Sequence, residues 1–342
     1  MDPKPASFPR NYSLVERAIH KVATDLREKY LKTHPDCMRP LERLTDHEKA
    51  SELIYETLSS DSPLMVARFG SSELDVVSNY LGVCGGPGQF LDFITCKHDQ
   101  WWWLKVRIDY LTNNAGFFPR EEWAFKRYCD LMLEDIKQLD LLGSWVKCEC
   151  FFKERLANVP KVHLALLEPW FGSKPWTRVL EGKKVLVVHP FAAQIEEQYY
   201  NHREELFPGT QILPEFELQT VQAVQSIGGT SGDFTSWFEA LEWMENEIDK
   251  HEYDFCIIGC GAYGFNLAAH VKRSGKKAIH LGGVTQMLFG IKGNRWEDPD
   301  YAFPEVNIPA GWYRGLMNDS WVKPIPSYRP KNADSVEGAC YW

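Results

Sequence analysis

Short apolar runs bounded by turn residues alternate along this chain with stretches of helical periodicity. Val15, Ala18, Ile19, Val22, Leu26 and Tyr30 recur at helical spacing over residues 13–31, with Ser13 positioned to cap the first turn, and predict an amphipathic helix. Beyond a proline-containing break at 35–40, Thr45 and Glu48 have capping-box spacing and predict a helix through Leu58. The run Leu64–Phe69, set between Asp61-Ser62-Pro63 and Gly70-Ser71-Ser72, predicts a buried strand that turns directly into a helix. Four glycines and a proline make 82–88 a loop, while Trp101–Leu111 and Arg120–Leu139 read as helices on either side of Asn113–Pro119. Two further apolar runs, 161–168 and 183–191, predict buried strands, and the second leads into a polar helix from Gln194 to Leu206. A long helix fits Phe234–Lys250.

The clearest unit follows. Asp254–Ile258 reads as a strand, Gly259–Gly264 as a turn, Phe265–Ser274 as a helix and Lys277–Leu281 as the next strand. Strand, glycine turn, helix and strand in so short a stretch is a βαβ unit, which makes at least part of the sheet parallel and the fold class α/β.

Composition narrows the function. The chain has 342 residues, enough to bury a large core without staples, and 44% apolar and 25% charged residues are near the globular average. The formal charge is −9 with no block of basic residues, which argues against a nucleic-acid partner held by phosphate contacts. No apolar run is long enough to span a bilayer, and the opening residues lack a basic and an apolar leader segment, so the expected location is the cytoplasm. Nine scattered cysteines without a CxxC pair suit reduced thiols, with Cys148 and Cys150 expected on one face of a strand. The 13 Trp, 14 Tyr and 19 Phe suit either a sugar-handling cleft or a large core.

Two turns carry chemistry. Gly259, Gly261 and Gly264 fit GxGxxG between a strand and a helix, where backbone N–H groups can cradle phosphate. The acid that a dinucleotide site wants near the end of the next strand is missing, since that strand runs into His280-Leu281-Gly282-Gly283. A purely structural turn and a phosphate or sugar-nucleotide site both stay open. At the earlier strand end, Arg68, Gly70, Ser71, Glu73 and Asp75 put a cation and two acids around a glycine turn at the edge where α/β sheets bind ligands. Ser72 and Asp75 as a capping box, with Glu73 complementing the helix dipole, would explain the acids without any ligand.

Arg68-Phe69-Gly70-x-x-Glu73 after a buried strand, with Asn114–Pro119 downstream and a later strand, glycine turn and helix, resembles the GT-D-fold glycosyltransferases of bacterial surface-glycan gene clusters. The second half resembles a capsule-type branch of such proteins through Lys184–Phe191, Leu213–Leu218, Gly259–Gly264, Ala278–Gly283, Leu288–Gly293 and the ending Val336–Trp342. The likeness implies a Rossmann-like, largely parallel sheet flanked by helices, in a domain over 59–342 with halves at about 59–180 and 181–342. Residues 1–58 would form an N-terminal helical arm. It implies transfer of a sugar from a nucleoside-diphosphate-sugar donor to a glycan or lipid-linked acceptor in surface-polysaccharide synthesis. A non-catalytic nucleotide- or glycan-binding protein of the same fold is the alternative.

In better-known members a DxE motif after the turn holds a divalent cation, Mn²⁺ or Mg²⁺, against the diphosphate. Here Ser71 stands at the Asp position, Glu73 is kept and Asp75 lies two further on. Either Glu73 and Asp75 share the cation, or cations and helix dipoles carry the diphosphate. Donor contacts are expected from Arg68, Gly70, Ser71, Gly259, Gly261, Gly264, His280 and Gln286, with Lys292 and Arg295 within reach of the same edge. For the base that takes the acceptor proton the candidates are His189, just past a strand end, and Glu215 or Glu217, which share a face if their segment is extended. Glu168, at another predicted strand end, could hold a base, a ribose or nothing.

Overall fold

The computed structural model describes residues 8–227, 233–330 and 339–342; the first seven residues and Val336–Gly338 of the chain's ending lie outside them. Seven strands, β1 (Leu64–Arg68), β2 (Leu141–Ser144), β3 (Lys161–His163), β4 (Lys184–His189), β5 (Glu217–Gln222), β6 (Phe255–Ile258) and β7 (Lys277–His280), form one sheet in the order β3-β2-β1-β7-β6-β4-β5. Every pairing is parallel. Nine α-helices of five residues or more are described: α1 (Leu14–Thr33), α2 (His47–Ser59), α3 (Ser71–Gly85), α4 (Phe90–Ile94), α5 (Lys105–Asn113), α6 (Glu122–Asp135), α7 (Ala192–Leu206), α8 (Trp237–Ile248) and α9 (Gly264–Arg273). The α/β, Rossmann-like expectation therefore holds.

The strands read as unbroken apolar runs because both faces of the sheet are covered. Met65, Ala67, Leu186, Val188, Cys256 and Ile258 enter one layer with α3, α5, α6, α8 and α9. Leu64, Val66, Val185, Val187, Phe255 and Ile257 enter the other with α2, α7 and the residues after β7. The chain thus leaves β1 and β6 toward the first layer and β4 and β7 toward the second. Along the central order β1-β7-β6-β4 successive connections depart to alternate faces, which opens a crevice above the carboxyl ends of those strands.

Several boundaries differ from the sequence reading, each for a local reason. Ala50, Ile54 and Leu58 of α2 are fully buried in the second layer, so residues 1–58 are not a separate extension and α1 alone is an arm. The capping oxygen of α2 comes from Asp46, which accepts from the Lys49 N–H, rather than from Thr45. Helix α3 runs on to Gly85, through the first glycines of the predicted loop. The run 161–168 ends as a strand at His163, whose Nδ1 accepts from the Ala165 N–H (3.2 Å) and starts a 3₁₀ turn. A 3₁₀ turn over Lys147–Phe152 also replaces the strand expected around Cys148 and Cys150.

The arm shows the largest reversal. Ser13 caps the helix as expected, with Glu16 completing a reciprocal capping box, but Val15, Ile19, Val22 and Leu26 face solvent while Ala23 and Arg27 are buried. Arg27 decides the orientation, because its guanidinium lies over the Phe93 ring (4.5 Å) of α4 and pairs with buried Asp99 (3.9 Å). Asp99 also takes the Ser78 hydroxyl (2.6 Å) and the Arg107 guanidinium. One carboxylate therefore joins the arm to α3 and α5.

Removing the carboxylate leaves the buried Arg27 guanidinium without its counter-charge and takes from half-buried Arg107 one of its two acidic neighbours, Asp75 remaining. Asp99→Ala is expected to cost about 3–5 kcal/mol in urea unfolding and to increase tryptic cleavage within α1; an unchanged midpoint with an intact arm would show that Asp99 does not hold it.

Candidate functional site

The crevice is a cleft of about 150 Å³. Its walls are built from strand ends: Arg68 closes β1, Trp145 follows β2, His189 closes β4, Gly259, Gly261 and Ala262 follow β6, and Gly282 and Gly283 follow β7. Arg295 and the last two residues, Tyr341 and Trp342, complete it. Two guanidiniums lie on aromatic shelves, Arg68 over Trp145 and Arg295 over Tyr341, each with 5.0 Å from its central carbon to the ring centroid. Trp145 is held by the bond from its Nε1 to the Phe69 carbonyl (2.8 Å). Planar, weakly hydrated guanidiniums stack on aromatic faces, and their positive charge suits phosphate or carboxylate oxygens; Arg295 also donates to the Tyr341 hydroxyl (3.5 Å) and to Cys340 Sγ (3.2 Å).

The glycine turn contributes backbone rather than side chains. Gly261 sits at φ +58°, a conformation glycine adopts without strain, and among the described residues nothing stands within 4 Å of where its Cβ would be. Gly264 does different work. A Cβ there would fall 2.2 Å from Cε1 of His280, so this glycine lets α9 close onto β7 and does not line the cleft. The expected donor role of Gly264 and His280 is corrected accordingly. His280 lies under the turn, its Nδ1–H donating to the Ile258 carbonyl (3.2 Å), and burial pushes its pKa down to about 3. Gln286 lines the cleft, yet its amide nitrogen is engaged with the carbonyls of Lys292 (2.8 Å) and Tyr341 (3.1 Å) and so clasps the chain's ending.

The acids fall into three groups. Glu73 and Ser71 line the cleft, but the Glu73 carboxylate folds back over Gly70, where a Cβ would lie 2.0 Å from its Oε2. Gly70 is the N-cap of α3, and Ser72 and Asp75 form no capping box. Asp75 is turned inward beside Arg107 and Cys148, and its burial raises its pKa. Glu215 and Glu217 belong to the opposite, amino-terminal edge: Glu217 opens β5 in register with Lys184, and Glu215 is exposed beside Arg203 (3.8 Å). Their assignment as base is corrected, because an entire strand length separates them from the cleft.

This geometry does not fit a cation shared by Glu73 and Asp75. Among the described residues no group of three His, Cys, Asp or Glu comes together to hold a metal ion. Nor does His189 fit the role of base. It lines the cleft, but its Nδ1 accepts from the Phe191 N–H (3.0 Å), which leaves the ring proton on Nε2, and burial lowers its pKa to about 3. At neutral pH it is a hydrogen-bond donor.

Trp145, Tyr341 and Trp342 were not foreseen as wall residues. The signal for Trp145 was a tryptophan directly after a short apolar run that ends at the ligand edge; for the ending it was two aromatics within a motif already matched.

Three buried groups give a pH profile. His189 and His280, with folded pKa values near 3 against about 6.5 unfolded, contribute stability that is lost as pH falls through that window, each by about 1.4 kcal/mol per pH unit. Glu168, raised to about 8 by burial, works in the other direction, and the stability it holds in acid is lost as pH rises from about 4.5 to 8. Stability in urea is expected to peak near pH 6.5, and Glu168→Gln to flatten the alkaline side; a variant that keeps the alkaline decline would show that Glu168 is not its source. No described helix is long and apolar enough to cross a membrane. No family model, curated protein or solved structure matches the chain, so the chemistry of the cleft carries the functional reading.

Proposed function

We propose that the chain is a glycosyltransferase that moves a sugar from a nucleoside-diphosphate donor to a glycan or lipid-linked acceptor. The observation that carries this reading is the pair of stacked guanidiniums, Arg68 on Trp145 and Arg295 on Tyr341, lining one cleft with the Gly259–Ala262 turn. A diphosphate needs positive groups that are already in place when its bond to the anomeric carbon breaks, because charge develops on the departing oxygen. In this reading the arginines and turn amides carry that charge, and Trp145, Tyr341 and Trp342 offer flat faces to the nucleobase or sugar rings. The acceptor oxygen bonds to the anomeric carbon as its proton leaves. Glu73 is the only side-chain carboxylate on the cleft wall among the described residues and takes that proton here. With one side-chain carboxylate on the cleft wall among the described residues, the reading expects Mn²⁺ or Mg²⁺ to add little to donor binding.

A second reading, a nucleotide- or glycan-binding protein without turnover, is favoured by Glu73 lying against Gly70 and by His189 presenting a proton. Both readings share the donor site and differ in release of nucleoside diphosphate.

A thermal-shift series with UDP, GDP, CDP and dTDP and their hexose esters, with and without Mn²⁺, tests the donor site. One nucleotide family is expected to stabilise the protein by about 2.7 kcal/mol at 100 times its dissociation constant, with or without Mn²⁺. Arg68→Ala is expected to abolish that shift; a shift that survives in the variant would sink the arginine-based site.

A further inference from the structure

A second cavity of about 50 Å³ adjoins the cleft and shares Arg68 and Arg295 with it. Its other walls include Glu168, Tyr301, Phe303 and Val284. Glu168 follows the 3₁₀ turn after β3 and is only 7% exposed. Its Oε2 accepts from the Tyr313 hydroxyl (2.7 Å) and from Trp170 Nε1 (3.0 Å), and among the described residues no hydrogen bond reaches Oε1. Glu168 thus lines the cavity with a carboxyl oxygen that is open to a ligand, and a cavity of this size has room for a small polar group to meet it.

We propose that this side cavity is the subsite for a neutral, hydroxyl-bearing end of the transferred sugar, with the Glu168 carboxyl as its hydrogen-bond partner. The proposal rests on the nucleotide-sugar reading of the cleft. The two guanidiniums on the shared wall repel an ammonium group. A carboxylate would carry a full charge into a buried pocket, a desolvation cost that a hydroxyl does not meet. A hydroxyl both donates and accepts, so it satisfies Oε1 whichever protonation state the carboxyl holds. Burial raises Glu168 to about 8, which gives it a proton to donate at neutral pH. The volume admits a hydroxyl or hydroxymethyl group, while the sugar ring itself stays in the main cleft beside the arginines.

Titration calorimetry on the full chain separates the two sites. The probes are UDP, GDP, CDP and dTDP, each against its neutral hexose ester. In wild type the ester of the preferred nucleotide is expected to bind about tenfold tighter than the bare diphosphate. Glu168→Ala is expected to erase that advantage while leaving the diphosphate affinity within about twofold. Val284→Phe fills the same cavity from another wall and is expected to do likewise, so the test survives if the first variant does not fold. A sugar advantage kept in the folded variants, or none in wild type, overturns the subsite and leaves the donor site standing. A wild type that binds none of the nucleotides overturns both.

Discussion

The imidazole of His280 occupies the space where a side chain on residue 264 would be, and much of the ligand edge depends on that contact. Because α9 closes onto β7 at Gly264, the turn between β6 and α9 is held against the strand ends. Gly261 then projects no side chain into the crevice, and its neighbours can offer peptide groups to a ligand. The ring can take this place only as a neutral group, since burial penalises its cation and its Nδ1–H is committed to the Ile258 carbonyl. Packing and protonation are thus one constraint: protonating His280 would bury a charge beneath the turn, close to the Arg68 guanidinium that opposes it.

The electrostatic character of the cleft follows from what the fold keeps out of it. The chain carries an excess of acid overall, yet two of the acids near the ligand edge are diverted: Asp75 turns toward Arg107, and Glu168 sits in the side cavity behind two hydrogen-bond donors, while Glu73 stays on the cleft wall folded back over Gly70. The arginines stay on the wall because aromatic rings support them. A net acidic protein can therefore present a locally cationic cleft, and local potential rather than net charge governs what binds there.

Strands and helices with unbroken apolar runs were legible in the sequence because burial on both sheet faces leaves no ambiguity of pattern. Leu64–Arg68, Lys184–His189 and Phe255–Ile258 were all visible for that reason. The glycine turn was legible as a turn but not as a division of labour, since only the packing shows that Gly264 serves His280 while Gly261 serves the cleft. The arm misled because periodicity reports an apolar stripe without saying which side docks; Arg27, a residue type rarely buried, chose the other side through Asp99. Glu215 and Glu217 misled because alternation along a strand says nothing of which end of the sheet the residue occupies.

Long-range closure of the site is the part no local pattern could supply. Trp145 comes from just after β2, Arg295 from beyond β7 and Tyr341 from the last residues, and they meet only because the sheet order places β2 beside β1 and the ending returns to the crevice. Gln286 makes that return definite by bonding the Tyr341 carbonyl, and Arg295 bonds the same segment through its backbone N–H to the Cys340 carbonyl (3.0 Å). The aromatic shelf under Arg295 is therefore built by the ending itself. Ligand affinity and anchoring of the chain's last residues are coupled, because whatever loosens the ending removes the ring on which the second guanidinium rests.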